Sequence, residues 1–311
     1  MRSTDRTTDR FRRNRTQKIR RSTLIVPGNV EKYVLKAFER GADAVQLDLE
    51  DSVSPEHKEE ARQLVGRLLD IHEQSTTEIN VRINNDGRLW DQDVQAIVSP
   101  KLGSITLPKC EDQEWIVAVA QLLDRLERER GIPEGSIELS ILIETAKGFL
   151  QLDKLLQASP RISTVTLGNE DFCLDLGIEP SDNGDELVPY YMQVILYARV
   201  HEVMPLGMVS SISDFQNLER FKQLARRSKQ LGFMGSSCIH PLQVAILNEV
   251  YSPSDVELVR AQGIVGALEE AQRNGRSSCS YQGKMIDPPI YERALQLLDR
   301  AQHIHRKKVQ Q

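Results

Sequence analysis

Two carboxylates, Glu144 and Asp171, stand 27 residues apart, the length of one strand–helix unit, and each follows a short β-rich run. On neighbouring strand ends, roughly 4.8 Å apart, two carboxylates can share one hard cation at about 2.0–2.1 Å per bond and leave its other positions to water and substrate. Glu144 follows the wholly apolar run ILI (141–143), where an unpaired charge is costly. Pairing with Lys109 or Arg82, or capping the next helix, is the competing use for either acid. Arg82 ends the run EINVRIN (78–84), with Val81 and Ile83 facing the other side. A lone strand arginine is ordinarily a salt-bridge partner, yet at an acidic mouth it would offset charge developing on an enolate or carboxylate. The run LDLED (47–51) adds Asp48, Glu50 and Asp51. At most two of these can reach a metal, so the rest are expected to hold its waters or to position Arg82 and Lys109. His240-Pro241 reads as a structural turn, and nothing in the sequence activates Cys173.

These groups have to be delivered by strands. Candidate strands lie at 22–27, 44–50, 78–84, 104–109, 137–144, 163–169, 206–210 and 233–240, several of them nearly continuous apolar runs, as parallel strands buried on both faces require. Helical patterns intervene: 29–40 with Asn29 as cap and Gly41 as stop, 55–70 after Ser54-Pro55, 111–130 before Gly131, and 214–231 before Gly232. Eight strand–helix alternations predict an α/β fold, a TIM (β/α)8 barrel, whose site forms at the carboxyl ends of the strands. An open doubly wound sheet is the alternative, disfavoured because no GxGxxG turn follows any strand. Seven of the eight strand ends carry a side chain able to bind charge or metal. The expected organisation is a basic, disordered leader (1–20), a barrel with a helical tail (21–274), and a C-terminal lid and helix (275–311).

The net charge of −5 is uneven, because the leader holds eight basic residues against Asp5 and Asp9 and leaves the body at −11. So polar a leader cannot offset its ordering entropy, and an acidic body argues against nucleic acid as the main partner. No apolar run approaches the ~18 residues of a membrane span or forms a signal peptide. Cys110, Cys173, Cys238 and Cys279 lie far apart with no CxxC pair, which reads as buried thiols in a reducing compartment. The expectation is a cytoplasmic protein with no membrane partner.

With these residues placed, the chain resembles the citrate lyase β-subunit-like group of the HpcH/HpaI aldolase superfamily. The segments RSTLIVPG (21–28), GADAVQLDLEDSV (41–53), VRIN (81–84), LPK (107–109), IETAKG (143–148), LGNEDFCLDLG (168–177), GFMGSSCIHPLQV (232–244) and GKMIDPPI (283–290) carry the resemblance. It implies a homo-oligomer (trimer or hexamer), Mg2+ with Mn2+ as an alternative, and cleavage or formation of a C–C bond in a coenzyme A thioester such as malyl-, citramalyl- or citryl-CoA, with an oxo acid as the other partner. By that analogy Glu144 and Asp171 hold the metal, Glu50 and Asp51 surround it, and Arg82 faces the thioester carbonyl. Asp287 is the acid of a lid from a neighbouring subunit. Arg21 and Lys32 meet the nucleotide phosphates, and Lys109 and Asn169 are substrate-binding candidates. The competing readings are a metal-dependent aldolase on free hydroxy-oxo acids, and a non-catalytic or complex-bound subunit acting on a carrier-protein thioester.

Overall fold

The computed structural model describes residues 18–71 and 76–309. Contacts divide the chain into two units: one runs from Arg20 to Tyr251, and the other from Ser252 onward together with the residues just before Arg20.

The first unit is a parallel eight-stranded sheet with helices, in TIM-like order. Its strands are β1 (Ser22–Pro27), β2 (Ala44–Asp48), β3 (Glu78–Arg82), β4 (Leu102–Leu107), β5 (Glu138–Ile143), β6 (Ile162–Leu167), β7 (Met204–Pro205) and β8 (Ser236–Cys238). They hydrogen-bond in the order β7-β6-β5-β4-β3-β2-β1-β8. Bonds from Met234 N–H to the Pro205 carbonyl (3.0 Å) and from Gly207 N–H to the Gly235 carbonyl (2.9 Å) make the two ends of that order meet. The helices are α1 (Glu31–Ala37), α2 (Lys58–Ile71), α3 (Trp90–Ile97), α4 (Gln113–Glu129), α5 (Ala146–Leu150), α6 (Leu152–Gln157), α7 (Asn169–Leu176), α8 (Val188–Val200), α9 (Leu218–Leu231) and α10 (Pro241–Val250). Asp112, Thr145 and Asn217 cap α4, α5 and α9 through their side chains. His240 caps α10 in a capping box with Gln243, the structural turn expected of it. Asn29 makes no such cap: α1 begins after Val30 without a side-chain cap.

The strands alternate more strictly than their sequence suggests. Val45, Leu47, Ile79, Val81, Ile105, Leu139, Ile141 and Val165 belong to the main hydrophobic core. Their alternate neighbours Gln46, Asn80, Thr106, Ser140 and Thr164 face the lumen. The apolar layer common in such barrels is replaced there by directional bonds. The Thr106 hydroxyl lies within hydrogen-bond reach of Asn80 Oδ1 (2.8 Å) and Gln46 Oε1 (3.2 Å), and Asn80 Nδ2 donates to Ser104 Oγ (2.8 Å). At the amino-terminal end Arg20 grips Glu78 with two bonds (2.7 and 2.6 Å) and also donates to Glu138 (2.5 Å) and Ser163 (3.2 Å). Burial alone would lower the Arg20 pKa, but the two glutamates raise it well above the usual arginine value. This corrects the leader boundary, since Arg20 is buried and bonded, while residues 1–17 lie outside the described residues.

The second unit comprises α11 (Asp255–Arg273), an antiparallel hairpin of β9 (Cys279–Tyr281) and β10 (Lys284–Ile286), and α12 (Pro288–Val309). Ala261, Ile264, Leu268, Ile286 and Ala294 form its own apolar cluster. A Cβ at Gly263 would lie 2.0 Å from the Tyr281 hydroxyl, so a glycine is what lets the hairpin approach α11. The sequence reading placed α11 with the barrel; its packing puts it with the hairpin instead.

Removing Arg20 takes away the guanidinium that donates to both Glu78 and Glu138. Arg20→Ala is expected to cost about 3–5 kcal/mol, checked by the midpoint shift in urea unfolding at neutral pH.

Candidate active site

Glu144 directly follows β5, and β5 pairs with β6. Asp171 lies four residues beyond β6, on the first turn of α7, rather than on the strand end itself. Both line a cavity of about 230 Å3, together with Arg82, Asn169 and Glu170. Gly168 makes the Glu144 conformation available. A Cβ there would stand 2.6 Å from Glu144 Cγ and 2.9 Å from its Oε1.

Arg82 is locked in place. Its Nε and Nη2 each donate to an oxygen of Asp48 at 2.7 Å, and its Nη1 lies 3.0 Å from Glu50 Oε2 and 3.5 Å from Asp51. Asp48 is fully buried. Burial alone would raise its pKa, but the Arg82 bonds and charge, with Ser52 and the Glu50 N–H, hold it below the usual carboxylate value. The acid that positions Arg82 is thus Asp48, while Glu50 and Asp51 reach toward Lys109 as well. Lys109 Nζ donates to Glu50 Oε1 (2.7 Å) and Asp51 Oδ1 (3.2 Å), and its backbone N–H donates to Glu144 Oε2 (2.8 Å). This double engagement accompanies a left-handed backbone at Lys109, φ 49°, a strained conformation for a lysine. Partial burial would lower the Lys109 pKa, but Glu50 and Asp51 raise it, so it stays a cation.

Glu144 itself is pushed up to about 8. Burial is the main cause, the neighbouring Glu50 and Asp171 charges add to it, and the Lys109 N–H and Arg82 oppose it. Glu50 Oε2, despite its nearness to Arg82, is a buried oxygen with no hydrogen-bond partner. A buried Glu144 carboxyl that resists ionising beside Glu50 and Asp171 is one whose charged form an added cation would stabilise. A hard divalent ion fits that donor set. Among the described residues no group of three or more His, Cys, Asp or Glu side chains is arranged for a metal, so an ion held by Glu144 and Asp171 would depend on water or substrate oxygens for its remaining bonds.

Other expected residues fall elsewhere. Arg21 precedes β1, at the amino-terminal end of a six-residue strand that spans roughly 20 Å. It is buried there, and its Nε, Nη2 and backbone N–H all donate to Asp43 (2.7, 2.9 and 2.8 Å). A phosphate-binding role for Arg21 is therefore not supported by its placement, because its fork is engaged by a buried acid at the wrong end of the strand. Lys32 is exposed on α1 and lines a second cavity of about 500 Å3 with Lys36, Arg40 and His240. Asn169 borders the main cavity, but its amide donates to the carbonyls of Met208 (2.9 Å) and Ser210 (2.6 Å) and its Oδ1 accepts from the Tyr191 hydroxyl (2.8 Å). That is a tether rather than the substrate contact expected. Asp287 belongs to the second unit, half-buried at the start of α12, where its Oδ1 accepts from the Ile290 N–H (3.2 Å). Burial raises the pKa of the Cys110 and Cys173 thiols, which keeps them protonated. All four cysteines are free.

The family model described as HpcH/HpaI aldolase/citrate lyase matches residues 21–241. The citrate lyase subunit beta of Leuconostoc mesenteroides subsp. cremoris is 33% identical over 293 residues, covering 93% of this chain and 95% of that protein. The L-malyl-CoA/beta-methylmalyl-CoA lyase of Cereibacter sphaeroides is 30% identical over 305 residues, covering 91% and 95%. Among solved structures, the protein CitE from Mycobacterium tuberculosis in complex with magnesium, acetoacetate and coenzyme A has a TM-score of 0.72 at 26% identity, covering 90% of this chain and 97% of that one.

The elevated Glu144 pKa has a definite sign. The folded chain keeps a proton there that the unfolded chain releases near its ordinary value of 4.5, so between that pH and about 8 Glu144 lowers the stability of the metal-free protein as pH rises. Glu144→Gln should flatten that decline in thermal melts recorded across the window. Mg2+ affinity of the parent protein should climb over the same range, since the ligand must lose its proton. Calorimetry showing pH-independent Mg2+ affinity, or unchanged affinity in Glu144→Gln, would remove Glu144 from the metal site.

Proposed function

The chain belongs to the HpcH/HpaI aldolase/citrate lyase family, and on that premise we propose that it is a carbon–carbon lyase. In this reading it cleaves or forms a β-hydroxyacyl-CoA thioester such as malyl-, citramalyl- or citryl-CoA with Mg2+ as its metal. The observation that carries the proposal is the convergence of Glu144, Asp171 and an immobilised Arg82 on one cavity. Glu144 and Asp171 would hold the metal, which, when bound, supplies Lewis acidity toward oxygens of the oxo-acid half. In cleavage the β-hydroxyl loses its proton, the bond between the α and β carbons breaks, and an oxo acid and a thioester enolate result. Arg82 faces that developing charge. Because Asp48 fixes both its Nε and Nη2, little reorganisation is needed as charge forms. Lys109 keeps Glu50 and Asp51 beside the guanidinium and steadies Glu144 through its backbone.

Asp287 is the acid we assign to protonating the enolate carbon in cleavage, or to removing the acetyl proton in synthesis, carried by a lid from a neighbouring copy. Lys32, Lys36 and Arg40 around the second cavity are suited to the anionic nucleotide end of coenzyme A. A homo-oligomer, trimer or hexamer, is supported by Met192, Leu196 and Val200, exposed four residues apart along α8. Among the described residues no helix is long and apolar enough to cross a membrane. With four free thiols, the cytoplasm is the location we propose.

The test is a panel of malyl-, citramalyl- and citryl-CoA, each with and without Mg2+, read by release of acetyl-CoA. Mg2+-dependent release from at least one thioester is expected, with kcat about 10²- to 10³-fold lower in Arg82→Ala. Silence on every thioester alongside cleavage of a free 4-hydroxy-2-oxo acid would replace this reading with that of an aldolase. Mixed Arg82→Ala and Asp287→Ala proteins should recover activity if the lid acts between copies; failure to complement would remove that assignment.

A further inference from the structure

Asn169 opens the helix that carries Asp171, and both its amide nitrogen and its amide oxygen are engaged by other parts of the protein. Both Nδ2 donors reach the segment after β7, at the carbonyls of Met208 and Ser210, and Oδ1 takes the hydroxyl proton of Tyr191 on α8. The tether is rigid at each end. The Tyr191 ring is fully buried and meets Phe233 edge-on at 5.6 Å. Phe233 in turn fills the space that a Cβ at Gly207 would need, with ring atoms 2.8 and 2.9 Å from it. On the other side Ser210 is buried with a left-handed backbone (φ 68°), its hydroxyl donating to the Ser181 carbonyl at 3.0 Å, and Val209 N–H donates to Ser228 Oγ at 2.8 Å. Just beyond, Ser211 and Ile212 line the same cavity as Glu144 and Asp171.

We propose that Asn169 is a positioning residue that couples the Asp171-bearing turn of α7 to the 208–212 wall of the cavity, so that loading the carboxylate pair with a divalent ion also orders that wall. The inference rests on the metal-site reading given above. Two carbonyls and one hydroxyl, all held from behind, allow the amide a single orientation: its nitrogen must face the wall and its oxygen must face Tyr191. Any shift of the first turn of α7 on taking up a cation is thereby passed to Met208 and Ser210, and the wall restrains Asp171 in return.

Asn169→Asp keeps the acceptor for Tyr191 but loses both donors, setting a carboxylate against two carbonyl oxygens. Tyr191→Phe deletes one hydroxyl and leaves the packing intact. The two variants are compared with the parent protein by calorimetric titration with Mg2+ alone and by amide hydrogen exchange over 206–212 with and without saturating Mg2+. The parent should gain protection in this segment on adding Mg2+. Asn169→Asp should lose that gain and bind Mg2+ about 10- to 100-fold more weakly, with Tyr191→Phe changed in the same direction by less. Variants that show parental Mg2+ affinity and parental exchange, whatever happens to Tm, overturn the coupling and leave Asn169 a packing residue. So does a raised KM with unchanged Mg2+ affinity, the signature of direct substrate contact. If the parent binds no Mg2+, the metal assignment fails and takes the coupling with it. If it binds Mg2+ with added protection but cleaves no thioester, only the proposed reaction fails.

Discussion

The pairing of Arg82 with Asp48 organises the mouth of the barrel. Both groups are taken out of water, and that loss is recovered because both carboxylate oxygens meet the guanidinium at 2.7 Å. Once Arg82 is fixed, Glu50 lies at its free edge, Lys109 balances Glu50 and Asp51, and the Lys109 backbone reaches Glu144. Positive charge therefore enters the mouth from the β3 and β4 ends and stops short of the Glu144–Asp171 side. This leaves a site with a fixed cation on one flank and an unmet demand for one on the other.

Much of that mouth was legible in the sequence, because strand ends in a parallel barrel put their polar residues in one place. Glu144, Arg82, Glu50, Asp51 and Lys109 come together for that reason, and Asp171 joins them from a helix turn rather than a strand. Arg21 and Asn169 were less readable. A basic residue beside β1 can serve either end of the barrel, and only the partner, Asp43, tells which. Asn169 sits next to the acids Glu170 and Asp171, but its bonds run to backbone carbonyls of a segment some forty residues away, which no local pattern reveals. Arg20 was hidden by its neighbours, since an arginine-rich leader disguises an arginine that is buried and bonded.

The same ambiguity explains the strands. Short runs such as SITLPK read as apolar ladders because their hydroxyl residues are compatible with either face. In the folded chain such hydroxyls line the lumen and bond between neighbouring strands, Thr106 with Asn80 and Thr164 with Ser140. α11 was grouped with the barrel because the chain runs into it without a break. Gly263 and its contact with Tyr281 reveal its real neighbour only once the hairpin is in place.

The contact between Gly168 and Glu144 has a consequence for how this lineage can change. The two positions compete for one volume, so position 168 is not free to drift alone: a side chain there becomes admissible only after residue 144 is shortened. The order of substitutions is thereby constrained, with the acid yielding before the glycine. A path that tries the reverse passes through an intermediate that displaces the Glu144 side chain, and homologues that carry a side chain at 168 should also carry a shorter residue at 144.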